Sequence, residues 1–125
     1  MKRVSQSEHD QMVRDVYSHL LLNGYRDVTA HLKGLDKPDL LYWESTGKGH
    51  IPDVAGEKNG KHNLFEIETE DSIFDQHTED QWKLFAANAS QHGKTFRVVV
   101  PKVSETSAQL RLSQLKNPAE VWTVG

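Results

Sequence analysis

The chain has 125 residues, 36% hydrophobic and 26% charged, with a formal net charge of −3. That size fits a single domain, residues 1–125, with one modest core, and no apolar run is long enough to span a bilayer. The absence of cysteine excludes disulfides, thiolate zinc sites and cysteine nucleophiles. The opening "MKRVSQSEHD" lacks the apolar core of a signal peptide, so a cytoplasmic protein is expected.

Residues 5–22 predict a helix, because Met12, Val13, Val16, Tyr17, Leu20 and Leu21 recur at three- and four-residue spacing. Ser5 with Glu8 fits a capping box, and Asn23-Gly24 a stop. "YRDVTAHLKGLDKP" reads as a short helix or turn, "DLLYWES" as a strand, "TGKG" as a turn and "HIPDVAG" as a second strand. Pro52 inside that strand points to an edge, a start or a bulge. Asn59-Gly60 signals a hairpin, and "HNLFEIET" is the third strand. There Phe65 and Ile67 face one way, and Leu64, Glu66 and Glu68 the other.

A second helix is predicted from Thr78, with Gln81 completing a capping box, to Gly93. Its apolar stripe is Trp82, Phe85, Ala86 and Ala89. "TFRVVV" is a strand stopped by Pro101. "SETSAQLRLSQLK" is a third helix with Leu110, Leu112 and Leu115 toward the core, and "EVWTV" is a last strand. The order is α-β-β-β-α-β-α-β, an α/β domain.

Charge is uneven along the chain. Residues 53–83 hold nine acids and three bases, whereas residues 84–125 hold five bases and two acids. A hairpin turning at Asn59-Gly60 brings the strands of Asp53 and Glu66 side by side, ~4.8 Å apart. Two carboxylates in one partly buried site raise each other's pKa unless a cation compensates. Magnesium, which takes oxygen ligands and keeps water and phosphate in its shell, is the natural candidate.

Pro52-Asp53, a hairpin, then Glu66-Ile67-Glu68 resembles the signature of the PD-(D/E)XK nuclease superfamily. That signature is Pro-Asp, a variable gap, then an acid, any residue and lysine. The resemblance implies a restriction-endonuclease-like α-β-β-β-α-β core, a mixed sheet flanked by helices, covering residues 5–100, with an α-β extension after it. The length is similar to that of small archaeal Holliday-junction resolvases. The family pattern implies Asp53 and Glu66 as ligands of magnesium or manganese, with the Ile67 carbonyl as a third. Glu68 departs from the pattern, standing where the family has lysine. Some restriction enzymes are similar in this respect, and other members carry the lysine on the following helix, where Lys83 stands. Gln81, in "QWK", resembles a glutamine often found there. Many relatives place a glutamate of the first helix near the metal; Glu8 fits that place, with Asp15 as competitor.

Each of these residues has an ordinary alternative. Glu8 is a helix cap, Lys83 an exposed helical lysine, Gln81 a capping residue, and Glu68 the mark of a degenerate site. The seven histidines show no helical zinc spacing, and there is no Gly-rich phosphate loop. Three functions follow. One is a metal-dependent nuclease acting on DNA, with Glu68 or Lys83 orienting the nucleophile and Lys94, Arg97, Lys102 and Arg111 meeting flanking phosphates. The second is a catalytically degenerate nuclease-fold protein that binds nucleic acid or protein. The third is an unrelated α/β regulatory domain whose acids are all on the surface and far apart. A homodimer through "DLLYWES" or "EVWTV" is compatible with the first two.

Overall fold

The computed structural model describes residues 4–125. Helix α1 (Val4–Leu22) buries Met12, Val13, Val16 and Leu20, the face that the periodicity marks. Asn23 N–H bonds back to His19 and Leu20, which closes the helix. The Ser5 side chain of the expected capping box lies outside the described residues.

The chain then makes strand β1 (Arg26–Ala30), not the helix or turn expected for "YRDVTAHLKGLDKP". It is an edge strand, antiparallel to β4 (Val54–Lys58), and its register shifts between Arg26 and Thr29, where Asp27 has φ 52°. An irregularity of this kind breaks the two-residue alternation by which a strand is recognised. "DLLYWES" also departs from expectation. Only Leu41–Tyr42 (β2) pairs, with Gly49–His50 (β3), as a hairpin separate from the main sheet. Leu41 packs on the core while Leu40 and Tyr42 are exposed. "HIPDVAG" therefore divides between β3 and β4.

Strand β5 (Lys61–Ile67) pairs antiparallel to β4 through Asn59-Gly60, whose φ values of 54° and 78° suit the tight turn that matches strand twist. Helix α2 (Gln76–His92) crosses to β6 (Thr95–Pro101), parallel to β5. A 3₁₀ turn (Lys102–Ser104) and helix α3 (Glu105–Leu115) lead to β7 (Glu120–Val124), parallel to β6. The result is an α/β fold with a mixed five-stranded sheet ordered β1-β4-β5-β6-β7.

Both faces of the sheet are covered. Phe65, Ile67, Val54 and Val99 pack on α1, while Leu64, Phe96, Val98 and Val100 pack with residues of α2 and α3 around Trp82 and Phe85. Glu66 and Glu68 share the second face and are buried in it. In α3 the core contacts are Ala108 and Leu112; Leu110, expected inside, is 52% exposed. Among the described residues no helix is long and apolar enough to cross a membrane.

Candidate functional site

Pro52 has no N–H to give a ladder, and the β4–β5 pairing starts one residue after Asp53, at Val54 opposite Phe65. Side chains replace the ladder beyond that point. The Asp53 N–H donates to Glu66 Oε1 at 3.1 Å, and the Ile67 N–H donates to Asp53 Oδ2 at 2.9 Å. The Asp53 carbonyl accepts from His31 N–H at 2.8 Å. Each acid is thus held by the backbone of the other's strand, and the two carboxyls lie within hydrogen-bonding reach of each other. Glu66 is 2% exposed. Burial, then the charges of Asp53 and Glu68, raise its pKa well above the usual carboxylate range.

His9 completes the group from α1. Its Nε2 donates to Asp53 Oδ2 at 3.2 Å, and its Nδ1 is buried 3.6 Å from Asp10 Oδ1. Burial opposes charge on this ring, but the hydrogen bond and charge of Asp53, aided by Asp10 and Glu68, outweigh it and push the pKa to about 9. The ring is therefore an imidazolium at neutral pH. Glu8, the expected helical contributor, is exposed; Asp15 is exposed too, accepting from Gln11 at 3.0 Å. His9 stands four residues before the fully buried Val13, so the face of α1 that packs on the sheet carries it inward. That spacing was the available signal for it.

Glu68 sits on the α2 side. Its Oε1 accepts from Ser72 Oγ at 2.8 Å and Thr78 Oγ1 at 3.4 Å, and its Oε2 accepts from Trp82 Nε1 at 3.2 Å. Burial raises its pKa to about 7, with the charge of Asp53 adding to it and the Ser72 and Trp82 hydrogen bonds opposing. Glu68 ties the end of β5 to the start of α2. That helix begins at Gln76, two residues earlier than expected, and Asp75 at its N-cap makes no side-chain cap bond. Thr78 lies inside the helix, so the Thr78–Gln81 capping box does not form; the Thr78 hydroxyl instead donates to Ser72 O at 2.7 Å.

These groups line a polar cavity of about 440 Å³. Gln81 is on its wall, as are His77, Asp71 and Asp75. Lys83 is not: it is exposed and pairs with Glu79 at 3.0 Å, one helical turn back. Among the described residues, His9 and His77 are the only basic side chains on the lining. Of the cations expected to meet phosphates, Arg111 pairs with Glu79 at 2.9 Å. Arg97 donates to Asn63 Oδ1 at 2.7 Å and lies over the Trp122 ring at 4.9 Å, and Lys94 donates to Asn88 Oδ1 at 2.8 Å. Both arginines are committed to holding the fold.

Asp53, Glu66 and Glu68 are thus gathered and partly or wholly buried, which overturns the reading of distant surface acids. Among the described residues no three His, Asp or Glu side chains stand in a ready metal-coordinating arrangement. The donor set still suits a hard divalent cation. Such an ion needs one or two protein carboxylates and fills its shell with water and phosphate. Buried Glu66, its proton affinity raised by burial and by the charges beside it, marks a place where a cation relieves repulsion. Asp53, Glu66 and the Ile67 carbonyl could hold it. No protein-family model matches the chain, nor does any curated protein or solved structure.

Proposed function

We propose that the protein is a metal-dependent nuclease of the PD-(D/E)XK type that hydrolyses phosphodiester bonds, with DNA as the first substrate to test. One observation carries this reading. Asp53 and Glu66, from adjacent strands, are locked crosswise at the wall of a polar cavity with Glu66 buried. Each carboxyl satisfies a backbone N–H of the other's strand, but neutral acceptors would do the same without the cost of burying Glu66 beside a second acid. A site for Mg2+ or Mn2+ gives the arrangement a purpose. The order of β4, β5, α2 and β6, with α1 behind, is compatible with the family core.

A bound divalent cation supplies Lewis-acid polarisation of the phosphate and a water of lowered pKa. The protein's residues do the rest. Asp53 and Glu66 set where the charge sits. His9 borders Asp53 and, among the described residues, is the cation placed to stand for the lysine that position 68 lacks. Gln81 and His77, on the first turns of α2, line the cavity where a substrate phosphate would be oriented. Both Glu68 oxygens already accept hydrogen bonds, so Glu68 positions the site and is poorly disposed to take a proton from water.

The purified protein should nick plasmid or branched DNA with Mg2+ or Mn2+. Cleavage that survives in Asp53→Asn sinks the proposal. The second reading, a nuclease-fold protein that binds without cutting, draws on the absence of any lysine from the cavity lining among the described residues. Calorimetry separates the two: Asp53-dependent uptake of Mn2+ supports the first, and its absence together with oligonucleotide binding supports the second.

A further inference from the structure

We infer that the end of the sheet opposite the acidic cavity is a contact surface for the phosphate backbone of a nucleic acid. The inference takes its choice of polyanion from the nuclease reading, but not its geometry. An acidic cavity repels phosphate, so a polyanion needs cations elsewhere. Arg97 and Arg111 are committed to internal partners. Several other cations have acids close by in sequence or space: Lys37 with Asp36 and Asp39, Lys48 with Glu44, Lys102 with Glu105, and Lys83 paired to Glu79.

The β4–β5 turn differs. Lys58 and Lys61 face each other directly across it, with only Asn59-Gly60 between. Like charges directly opposite on a ladder are destabilising, and no acid stands between these two. Lys58 relieves part of this by lying over the Tyr25 ring at 5.0 Å, which leaves Lys61 exposed. Around them the register places Arg26, His62 and the start of β6 with Lys94 at the same end of the sheet. The acids there are Asp27, Glu57 and Asp39, against Arg26, Lys37, Lys58, Lys61 and Lys94, the last of them bonded to Asn88 Oδ1.

From Lys61 to Glu66 is five strand steps, roughly 17 Å. A strand with ~3.4 Å between successive nucleotides must extend about five nucleotides from the cavity to reach the turn. Oligonucleotides shorter than that should gain nothing from these lysines. Exposed Leu22 ends α1 beside this corner, so an anionic lipid surface is the rival that the test must separate.

The test is fluorescence anisotropy of labelled 20-nucleotide single strands and duplexes, in EDTA, as a function of salt. It compares the natural chain, the double variant Lys58→Gln/Lys61→Gln, and Asp53→Asn, each checked for folding by circular dichroism. The double variant should bind more weakly, with a salt slope shallower by about 1.4–1.8. That amounts to about a tenfold smaller loss of affinity between 50 and 200 mM salt. Asp53→Asn should keep the natural slope, so failure of the nuclease reading leaves this result standing. An unchanged slope in the double variant overturns the inference, as does lysine-dependent binding to phosphatidylserine vesicles with none to oligonucleotides.

Discussion

His9 Nε2 on α1 donates to Asp53 Oδ2 at the head of β4 at 3.2 Å, across 44 residues of sequence. This places a cation beside the carboxyl cluster and makes the pH dependence of stability calculable in sign. His9 has a folded pKa of about 9 against 6.5 for a free ring. Its stabilising contribution is complete below about pH 6.5 and is lost as pH rises through 9. Glu68 rises from 4.5 to about 7, so the folded state holds its proton more tightly and stability falls between those values. At about 1.4 kcal/mol per pKa unit, the Glu68 contribution is on the order of 3 kcal/mol. Both effects run the same way: urea midpoints should be higher at pH 5 than at pH 8, and Mn2+ should recover part of the difference at pH 8. Equal midpoints at the two pH values refute this account of the site.

Placing lysine at position 68, as in the signature that the hairpin resembles, should harm the protein. In Glu68→Lys an ammonium would replace an acceptor that serves the Ser72 and Thr78 hydroxyls and the Trp82 N–H. Donors would face donors in a pocket that is 5% exposed. A loss of about 3 kcal/mol or more is expected, read as a fall in Tm of ~10 °C or more. Glu68→Gln keeps one acceptor and sheds the buried charge, so it should be closer to neutral at pH 8.

Lys83→Ala tests the one lysine that the resemblance nominated. Its ammonium makes a surface pair with Glu79 and does not reach the cavity. The cost in stability should stay within about 0.5 kcal/mol, and on the proposed nuclease reading DNA cleavage should be unchanged. A drop in turnover of tenfold or more would restore Lys83 to the site.

Gly49→Ala should open the small hairpin. A Cβ there collides with the Leu41 carbonyl oxygen and stands 2.9 Å from Tyr42 Cβ. His50 follows directly, its ring 5.2 Å from His77 on the cavity wall and 6.4 Å from Phe85. Faster amide exchange across residues 41–50, with β4 and β5 still protected, is the expected result. Uniform loss of protection would mean that the hairpin is integral to the core.

Where sequence and structure agree, the reason is local. Asn59-Gly60 specifies its turn, so Asp53 and Glu66 had to become neighbours, and the alternation along Leu64, Phe65, Glu66 and Ile67 assigned each to its face. Gln81 followed from its place near the start of α2. β1 was hidden because Asp27 breaks its alternation, and "DLLYWES" misled because apolar runs read alike in a sheet and in a side hairpin. His9 was missed because Glu8 and His9 each align with a buried residue, Met12 and Val13, and only the packing of α1 chooses between them. Glu68 showed itself as a missing lysine, while its binding by three neutral donors depends on how α2 docks.

The two contacts that define the site also differ in when they can form. Asp53 and Glu66 meet across 13 residues around a tight turn, whereas His9 must arrive across 44. Closing the shorter loop costs less chain entropy, so the hairpin can form before α1 docks. In that order the carboxyls would meet before His9 arrives, and the folding transition state would bear a repulsion that His9 eases in the native state. Acid, or a divalent ion present from the start, should therefore speed refolding as well as stabilise the folded protein, and the folding arm of a chevron at pH 5 should lie above that at pH 8.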